Sequence, residues 1–232
     1  MDTGISSNTT AERVASYWSW RSQVYDTTCS KHTQWHDIFL APFKDKKSLR
    51  LLDMGAGTGF LSLGFAKKGH RVTGIDLSPE MVNFARKMAR EKNISIEFFL
   101  GDAQEPPLFS SPFDGITCRN LLWTLPNPLR ALTAWKRLLK PQGLVVIADG
   151  LWEPRLYLAK EEPVTIKFKE AYSEIREQLP YFLGLSAENG FSLLEQAGFS
   201  EISRHDHLFH ENPYEYNNEF FVLSAVNDCR KK

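Results

Sequence analysis

The most constraining feature of this chain is a glycine-rich loop between two apolar runs that each end near an aspartate. Residues 49–54 and 71–76 are β-rich, and they carry Asp53 and Asp76 close to their ends. The loop at 55–59 reads Gly-Ala-Gly-Thr-Gly. Glycines at such a turn let the backbone approach a ligand that a Cβ atom would keep away. Because ligands of open parallel sheets bind at the carboxyl ends of the strands, the loop predicts a ligand site between the two aspartates.

Apolar runs alternate with helical stretches over the middle of the chain, a pattern typical of α/β proteins. Further β-rich runs lie at 94–100, 113–118 and 143–149. Because these runs are nearly unbroken apolar segments between helices, they predict a parallel sheet with helices on both faces. Two last runs, near 200–210 and 217–227, are joined by a short loop and predict an antiparallel pair at the end of the chain.

The length of 232 residues predicts a single domain, since two ordinary domains would need a clear seam. Within residues 1–232 we distinguish four parts: an aromatic, helical N-terminal arm at 1–47, a ligand-binding core at 48–150, an insertion at 151–186, and a helix with the strand pair at 187–232. The insertion breaks the α/β alternation with prolines and mixed charge. It is therefore the part that we expect to depart from a regular sheet architecture.

Charge and composition exclude several classes of partner. Lys plus Arg equal Asp plus Glu at 28 each, so no summed field attracts nucleic acid or an anionic membrane. The N-terminus has no secretory pattern, and no apolar stretch approaches the roughly 20 residues that cross a bilayer. Three widely spaced cysteines, Cys29, Cys118 and Cys229, predict neither a disulfide framework nor a zinc site. We expect a cytoplasmic protein with no nucleic acid, membrane or metal partner, and the oligomeric state stays open.

Two common ligands of glycine loops do not fit this sequence. The dinucleotide fingerprint requires a small residue where this chain has Phe60, and a P-loop requires a following Gly-Lys-Ser/Thr. The remaining candidate is a ligand that contains a ribose and does not require a loop that binds pyrophosphate. Asp76 is placed to accept hydrogen bonds from both ribose hydroxyls. Asp53 suits a cationic amine, and Asp102, beyond the third strand, suits an exocyclic amino group.

These features resemble those of class I S-adenosylmethionine-dependent methyltransferases of the small-molecule type. Residues 51–89 are similar to the family's first motif, its acidic second-strand end and the D-x-S-P-x-M start of the next helix. Residues 101–149 resemble the remaining core motifs, including the L-x-P-x-G bend before the fifth strand. The resemblance implies an α/β, Rossmann-like, seven-stranded and mostly parallel sheet whose last strand is antiparallel. It also implies S-adenosylmethionine as the cofactor and S-adenosylhomocysteine as its product.

The resemblance implies a role for each matching residue. Gly55, Ala56 and Gly57 would lie under the methionine part of the cofactor, Asp76 on the ribose, Leu77 and Met81 beside the adenine, Asp102 and Ala103 at its amino edge, and Arg119 and Asn120 next to the methionine end and the substrate. The glycine loop differs from common family versions only in Ala56. Nothing in these motifs departs from the pattern of a cofactor-binding member.

Aromatic and acidic residues outside these motifs are candidates for the acceptor side. We predict Tyr17 and Tyr25 as neighbours of the cofactor, where a cation–π contact with the sulfonium contributes about 0.5–2 kcal/mol, with plain helix packing as the alternative. Trp123 is predicted to wall the acceptor pocket or to plug the core. Asp149, at the end of the fifth strand, is a candidate base or a cap for the next turn. We assign the catalytic side to Tyr25, Trp123 and Asp149, and we expect 151–186 to act as a substrate lid.

Two histidine pairs favour structural roles. His32 and His36 are one helical turn apart, but without a third ligand we expect a solvated helix face. His205 and His207 are predicted on the same face of a surface strand.

The sequence predicts the cofactor half of the reaction better than the acceptor half. Methyl transfer from a sulfonium is an in-line displacement, so the enzyme mainly aligns the reactants and excludes water. The acceptor is predicted to be a small molecule, with nitrogen, oxygen, sulfur and carbon all open as the acceptor atom. The alternatives are a protein methyltransferase and a non-catalytic S-adenosylmethionine-binding subunit or sensor.

Overall fold

The structure, a computed structural model, describes residues 9–23, 25, 33–44, 46–152, 162–182, 184–214 and 219–228. Its strands are β1 (Arg50–Met54), β2 (Arg71–Asp76), β3 (Glu97–Leu100), β4 (Phe113–Arg119), β5 (Leu139–Gly150), β6 (Ser200–Arg204) and β7 (Phe220–Val226). The α-helices within the described residues are α1 (Thr10–Arg21), α2 (Gln34–Leu40), α3 (Phe60–Lys67), α4 (Pro79–Glu91), α5 (Pro128–Leu138), α6 (Pro163–Tyr172) and α7 (Ala187–Gln196).

All seven strands form one sheet with the order β3-β2-β1-β4-β5-β7-β6. The pairs among β1 to β5 are parallel, and β7 runs antiparallel to both β5 and β6. The central strands are apolar on both faces because helices cover both sides, as expected for a parallel sheet. The predicted α/β, mostly parallel sheet with its antiparallel last strand is confirmed.

Helices α4 and α5 both start at capping residues encoded in the local sequence. The Ser78 hydroxyl accepts a hydrogen bond from the Met81 N–H, and Pro79 occupies the first position of α4. The Asn127 side chain caps α5 in the same way, again followed by a proline. Each cap satisfies an otherwise unpaired helical N–H, and proline has no N–H to lose there. These helix starts therefore follow from residues within one turn.

The N-terminal arm and the insertion pack on each other over the carboxyl end of the sheet. Helix α1 contacts α6, and an apolar cluster joins them. Its buried members are Val14, Tyr17, Trp123, Phe168, Tyr172, Ile175 and Leu179. Because Trp123 lies in the short 3₁₀ turn after β4, the cluster anchors the two helices to the sheet. We call these residues the aromatic cap.

The end of the chain differs from the prediction in one respect. β6 ends at Arg204 and β7 begins at Phe220, so the connection between them is longer than the predicted short loop. A 3₁₀ turn begins at Asp206, whose carboxylate accepts a hydrogen bond from the Arg204 side chain. The prediction of His205 and His207 on one strand face is therefore wrong.

His36 also lies in a different environment from the one predicted. Its Nε2 is 3.0 Å from the carbonyl oxygen of Phe60, and burial lowers its pKa. Gly64 makes room for this ring, since a Cβ there would come within 2.1 Å of the imidazole. His36 is thus packed against α3 instead of a solvated helix face, and His32 lies outside the described residues.

Candidate functional site

A cavity opens at the carboxyl ends of β1, β2 and β4, beneath α1. Most of the residues predicted to bind the cofactor or substrate line it together: Tyr25, Asp53, Gly55, Ala56, Gly57, Asp76, Leu77, Met81, Asp102, Ala103, Arg119 and Asn120. The parallel strands bring these residues together because their carboxyl ends meet at one edge of the sheet.

The glycine loop forms the floor of the cavity. Gly55 and Gly57 both have positive φ, at 66° and 55°, a conformation that side chains other than glycine rarely adopt. A Cβ at Gly57 would meet no atom within 4 Å, whereas one at Gly55 would touch the Leu121 side chain at 3.0 Å. The open space over Gly57 is a cradle in which a ligand can lie against the backbone.

Asp76 ties the glycine loop to the start of α4. One carboxylate oxygen accepts the Gly57 N–H at 2.8 Å and the other accepts the Ser78 N–H at 2.9 Å. Burial raises the pKa of Asp76, while these backbone hydrogen bonds oppose the shift. Each carboxylate oxygen has more than one lone pair, so Asp76 keeps acceptor capacity for two ligand hydroxyls.

Asp53 lies deeper, at the end of β1. Its oxygens accept hydrogen bonds from the hydroxyls of Ser62, at 2.6 Å, and Thr117, at 3.0 Å. Its side chain is 2% exposed, and burial raises its pKa to about 6 in spite of these donors. A cationic group in the cavity would stabilise the ionised form and lower this pKa.

The β3 side of the cavity combines apolar walls with polar edges. Leu77 and Met81 supply the apolar surface. Asp102 accepts the Gln104 N–H at 2.8 Å, and the carbonyl oxygen of Ala103 accepts the Trp135 indole N–H at 2.7 Å. A flat heterocycle with an amino edge fits such a slot, because the walls contact its faces and Asp102 can accept from its edge.

Arg119, the last residue of β4, lies between two aromatic rings. Its guanidinium carbon is 5.1 Å from the centre of the Trp35 ring and 5.0 Å from that of Phe60. Both distances lie within the cation–π range. The two rings belong to α2 and α3, so these helices together set the position of a cation at the cavity wall.

Asn120 follows Arg119 and has a positive φ of 57°. Its backbone N–H donates to the carbonyl oxygen of Ala148 at 2.9 Å, and its side-chain oxygen accepts the hydroxyl of Tyr214 at 2.9 Å. The turn after β4 is thus held from both its backbone and its side chain.

Three predicted residues, Tyr17, Trp123 and Asp149, do not line the cavity. Tyr17 packs edge-on against Phe168, and Trp123 stacks on Tyr172 at 5.7 Å. Both aromatic side chains are therefore members of the aromatic cap, because the arm and the insertion bury them against each other.

Asp149 is buried behind the turn that carries Trp123. Its carboxylate accepts hydrogen bonds from the Gly150 N–H at 3.0 Å and the Trp152 indole N–H at 3.2 Å. Burial raises its pKa to about 7. The contacts match the alternative that Asp149 caps the turn after β5.

Several lining residues were not among the predicted site residues. They are Val14, Ala15, Trp18, Thr58, Phe60, Leu61, Ile75, Ser78, Gly101, Leu121, Thr124 and Leu125. The neighbours of predicted residues could have been found by extending each motif by one position. The three α1 residues could not, since only packing decides which face of that helix meets the cavity.

The described residues offer neither a metal cluster nor a membrane-spanning helix. No group of three or more His, Cys, Asp or Glu side chains there could hold a metal ion. No helix in the same part of the chain is both long and apolar enough to cross a membrane. Cys118 is buried in β4, and Cys29 and Cys229 lie outside the described residues.

Residues 52–147 match the family model of the methyltransferase domain. The ubiquinone biosynthesis O-methyltransferase of Alkalilimnicola ehrlichii is 36% identical over 115 residues, which are 47% of this chain and 44% of that protein. The protein of the same name from Colwellia psychrerythraea is 29% identical over 192 residues, covering 79% of this chain and 74% of that one. The chain thus spans less than half the length of the first of these relatives. The resemblance to methyltransferases predicted from the sequence is confirmed by these matches.

Solved structures share the fold over nearly the whole chain. Phosphoethanolamine N-methyltransferase 2 of Haemonchus contortus, in complex with S-adenosylhomocysteine, aligns with a TM-score of 0.71 at 20% identity, over 96% of this chain and 61% of that one. The cyclase SpnF aligns with a TM-score of 0.69 at 18% identity, over 96% and 97%. At such identities the likeness establishes the fold, and the two proteins are named for different chemistries on it.

Proposed function

Starting from a methyltransferase domain at residues 52–147, we propose that the protein binds S-adenosylmethionine and transfers its methyl group to a small organic acceptor. One observation carries the proposal: the open backbone at Gly57 lies beside the Asp76 carboxylate, which the Gly57 and Ser78 N–H groups hold in place. A ribose fits between an exposed backbone and a fixed carboxylate, as it does in other nucleoside sites of open α/β sheets.

The remaining cavity residues support the same ligand. In our proposal Asp76 accepts the ribose hydroxyls, while Leu77, Met81, Asp102 and Ala103 surround the adenine. Gly55, Ala56 and Asp53 lie on the amino-acid side, where the buried Asp53 carboxylate faces the ammonium group. Arg119, Asn120 and Tyr25 line the same side. When bound, the cofactor supplies an electrophilic methyl group on a sulfonium.

The chain contributes alignment and exclusion of water rather than a nucleophile. Residues of α1, among them Trp18, line the cavity from above, and the aromatic cap holds that helix in place. Since Asp149 and Trp123 lie outside the cavity lining, we propose that they support the turn after β4 and that the predicted base is not Asp149. The lid role of 151–186 stays a prediction, supported by the packing of α6 on α1.

The acceptor is proposed as a small molecule with a hydroxyl group. The support is the name of the relatives, O-methyltransferase, together with the cover that α1 forms over the cavity. A protein methyltransferase and a non-catalytic subunit or sensor are the alternatives, and the fold shared with the cyclase SpnF adds a cyclase. The cytoplasmic location and the absence of nucleic acid, membrane and metal partners stay predictions.

Calorimetry with S-adenosylmethionine and S-adenosylhomocysteine tests the cofactor. Formation of S-adenosylhomocysteine is then followed with a panel of phenols, amines, thiols and quinones. We expect binding and turnover with a phenol. Binding without turnover on any acceptor would favour the sensor, subunit or SpnF-like alternatives, and no binding would refute the proposal.

The substitution Asp76→Ala tests the ribose assignment. Two charge-assisted hydrogen bonds and the support of the loop are lost together, so we expect the Kd for S-adenosylhomocysteine to rise about 100-fold. Asp37→Ala, which removes an exposed acid paired with Lys68, is the matched control and should leave the Kd unchanged. Equal affinity of the Asp76→Ala variant and the wild type would refute the site assignment.

A further inference from the structure

Tyr214 lies outside every motif of the sequence, yet its hydroxyl contacts a cavity residue. Its OH lies 2.9 Å from the side-chain oxygen of Asn120. We propose that Tyr214 is a positioning residue, which orients the Asn120 amide so that its Nδ2 group donates a hydrogen bond to the carboxylate of the cofactor's amino-acid end. The proposal rests on the proposed function, because it names the contact made by one end of that cofactor.

The geometry of Asn120 leaves one end of its amide for a ligand. The backbone is set by the positive φ of 57° and by the N–H bond to Ala148, so the side chain starts from a defined point in the cavity wall. An amide has an acceptor oxygen and a donor nitrogen. The Tyr214 hydroxyl occupies the oxygen, and within the described residues Nδ2 makes no hydrogen bond. Nδ2 is therefore the end available to a bound ligand.

The Tyr214 ring is itself held firmly. It packs edge-on against three rings, with distances between ring centres of 5.0 Å to Trp152, 5.5 Å to Trp35 and 5.4 Å to Phe220. Burial raises the pKa of the phenol, so the hydroxyl stays protonated and can donate to Asn120. The rings come from α2, the start of the insertion and β7, which are distant in sequence. Their packing fixes the hydroxyl independently of the ligand.

The charges around the cavity indicate which ligand group Nδ2 meets. Arg119 and Asn120 place two donors at the end of β4, whereas the acids Asp76 and Asp102 lie toward β2 and β3. Asp53 at the end of β1 supplies an acceptor between them. An amino acid carries a carboxylate and an ammonium group, so donors at one wall and an acceptor beside them match both. The carboxylate is then the group that faces Asn120.

The substitution Tyr214→Phe tests the proposal because it removes only the hydroxyl and keeps the packed ring. Calorimetry compares two ligands, S-adenosylhomocysteine and 5′-methylthioadenosine, which has the same nucleoside but no amino-acid end. We expect the Kd for S-adenosylhomocysteine to rise about three- to tenfold and the Kd for 5′-methylthioadenosine to stay the same. Tyr181→Phe makes the same chemical change in a partly buried ring outside the cavity lining, and it should change neither Kd.

A second variant, Asn120→Asp, keeps the oxygen that Tyr214 contacts and replaces the donor nitrogen with an acceptor. It should weaken S-adenosylhomocysteine at least tenfold and 5′-methylthioadenosine much less. Equal weakening of both ligands, or no change in either, would overturn the positioning role. A wild-type protein that binds neither S-adenosylhomocysteine nor S-adenosylmethionine would instead refute the proposed function itself, so the two failures are distinguishable.

Discussion

The floor of the cavity and the aromatic cap above it are built by different interactions. In the floor, directional hydrogen bonds join residues of one strand-helix-strand unit, such as Asp76 with Gly57 and Ser78. In the cap, apolar rings from opposite parts of the chain meet, as Tyr17 does with Phe168. A hydrogen bond requires a particular donor and acceptor at a defined distance and angle, whereas the hydrophobic effect is non-directional and scales with the apolar area buried. Substitutions in the cap should therefore change stability, and substitutions in the floor should change ligand affinity.

The largest expected effect is on the cap. Phe168 is 1% exposed and packs against Tyr17, Trp123 and Tyr172, so Phe168→Ala leaves a cavity among these rings. We expect the free energy of unfolding, measured by urea denaturation, to fall by about 3 kcal/mol. Ile166→Ala, on the same helix but 42% exposed, should cost much less. Similar losses of unfolding free energy in the two variants would contradict the view that the buried rings stabilise the cap.

A smaller effect concerns Asp149, the buried acid beneath the aromatic cap. The pKa of Asp149 is raised by burial to about 7, above the ordinary value of 3.8 that we assign to the unfolded chain. The folded state therefore binds this proton more tightly, and the resulting stability is complete below about pH 4 and lost as the pH rises through 7. Asn in place of Asp149 cannot ionise, so Asp149→Asn should lack that loss.

Denaturation at pH 5 and pH 8 measures this effect. The wild type should lose about 2 kcal/mol more than Asp149→Asn over this interval. Asp37→Asn, at an exposed position, serves as the control and should follow the wild type. Parallel pH profiles for Asp149→Asn and the wild type would show that the carboxyl does not titrate in this range.

The smallest expected effect separates strain from ligand contact in the floor. Gly57 and Gly69 both have positive φ, and a Cβ at either would meet no atom within 4 Å. Gly57→Ala and Gly69→Ala should therefore each cost about 1 kcal/mol of stability. Only Gly57→Ala adds a methyl group inside the cavity, so only this variant should weaken S-adenosylhomocysteine, by about tenfold. Equal affinities in calorimetry would show that the ligand does not lie over Gly57.

Local patterns were sufficient for the floor and insufficient for the cap. The glycine loop and Asp76 lie within one strand-helix-strand unit, so their spacing already implied that they meet. His205 was predicted in a strand because alternation extends past Arg204, but the chain enters a 3₁₀ turn at Asp206. Nothing in the sequence pattern indicates that Gly64 makes room for the His36 ring. Such contacts depend on a partner that periodicity does not identify.

The sequence by itself determined the α/β class, the glycine loop and the acids at the strand ends, because backbone conformation and strand alternation depend on neighbouring residues. Only the tertiary structure decided that Tyr17 and Trp123 join the cap while Trp18 lines the cavity, and that Tyr214 reaches Asn120. The aromatic arm offered several rings that could serve either purpose. Any of these rings could be buried equally well, and the sequence does not show which one meets which partner. The assignment of each ring to the cap or to the cavity therefore requires the packed fold.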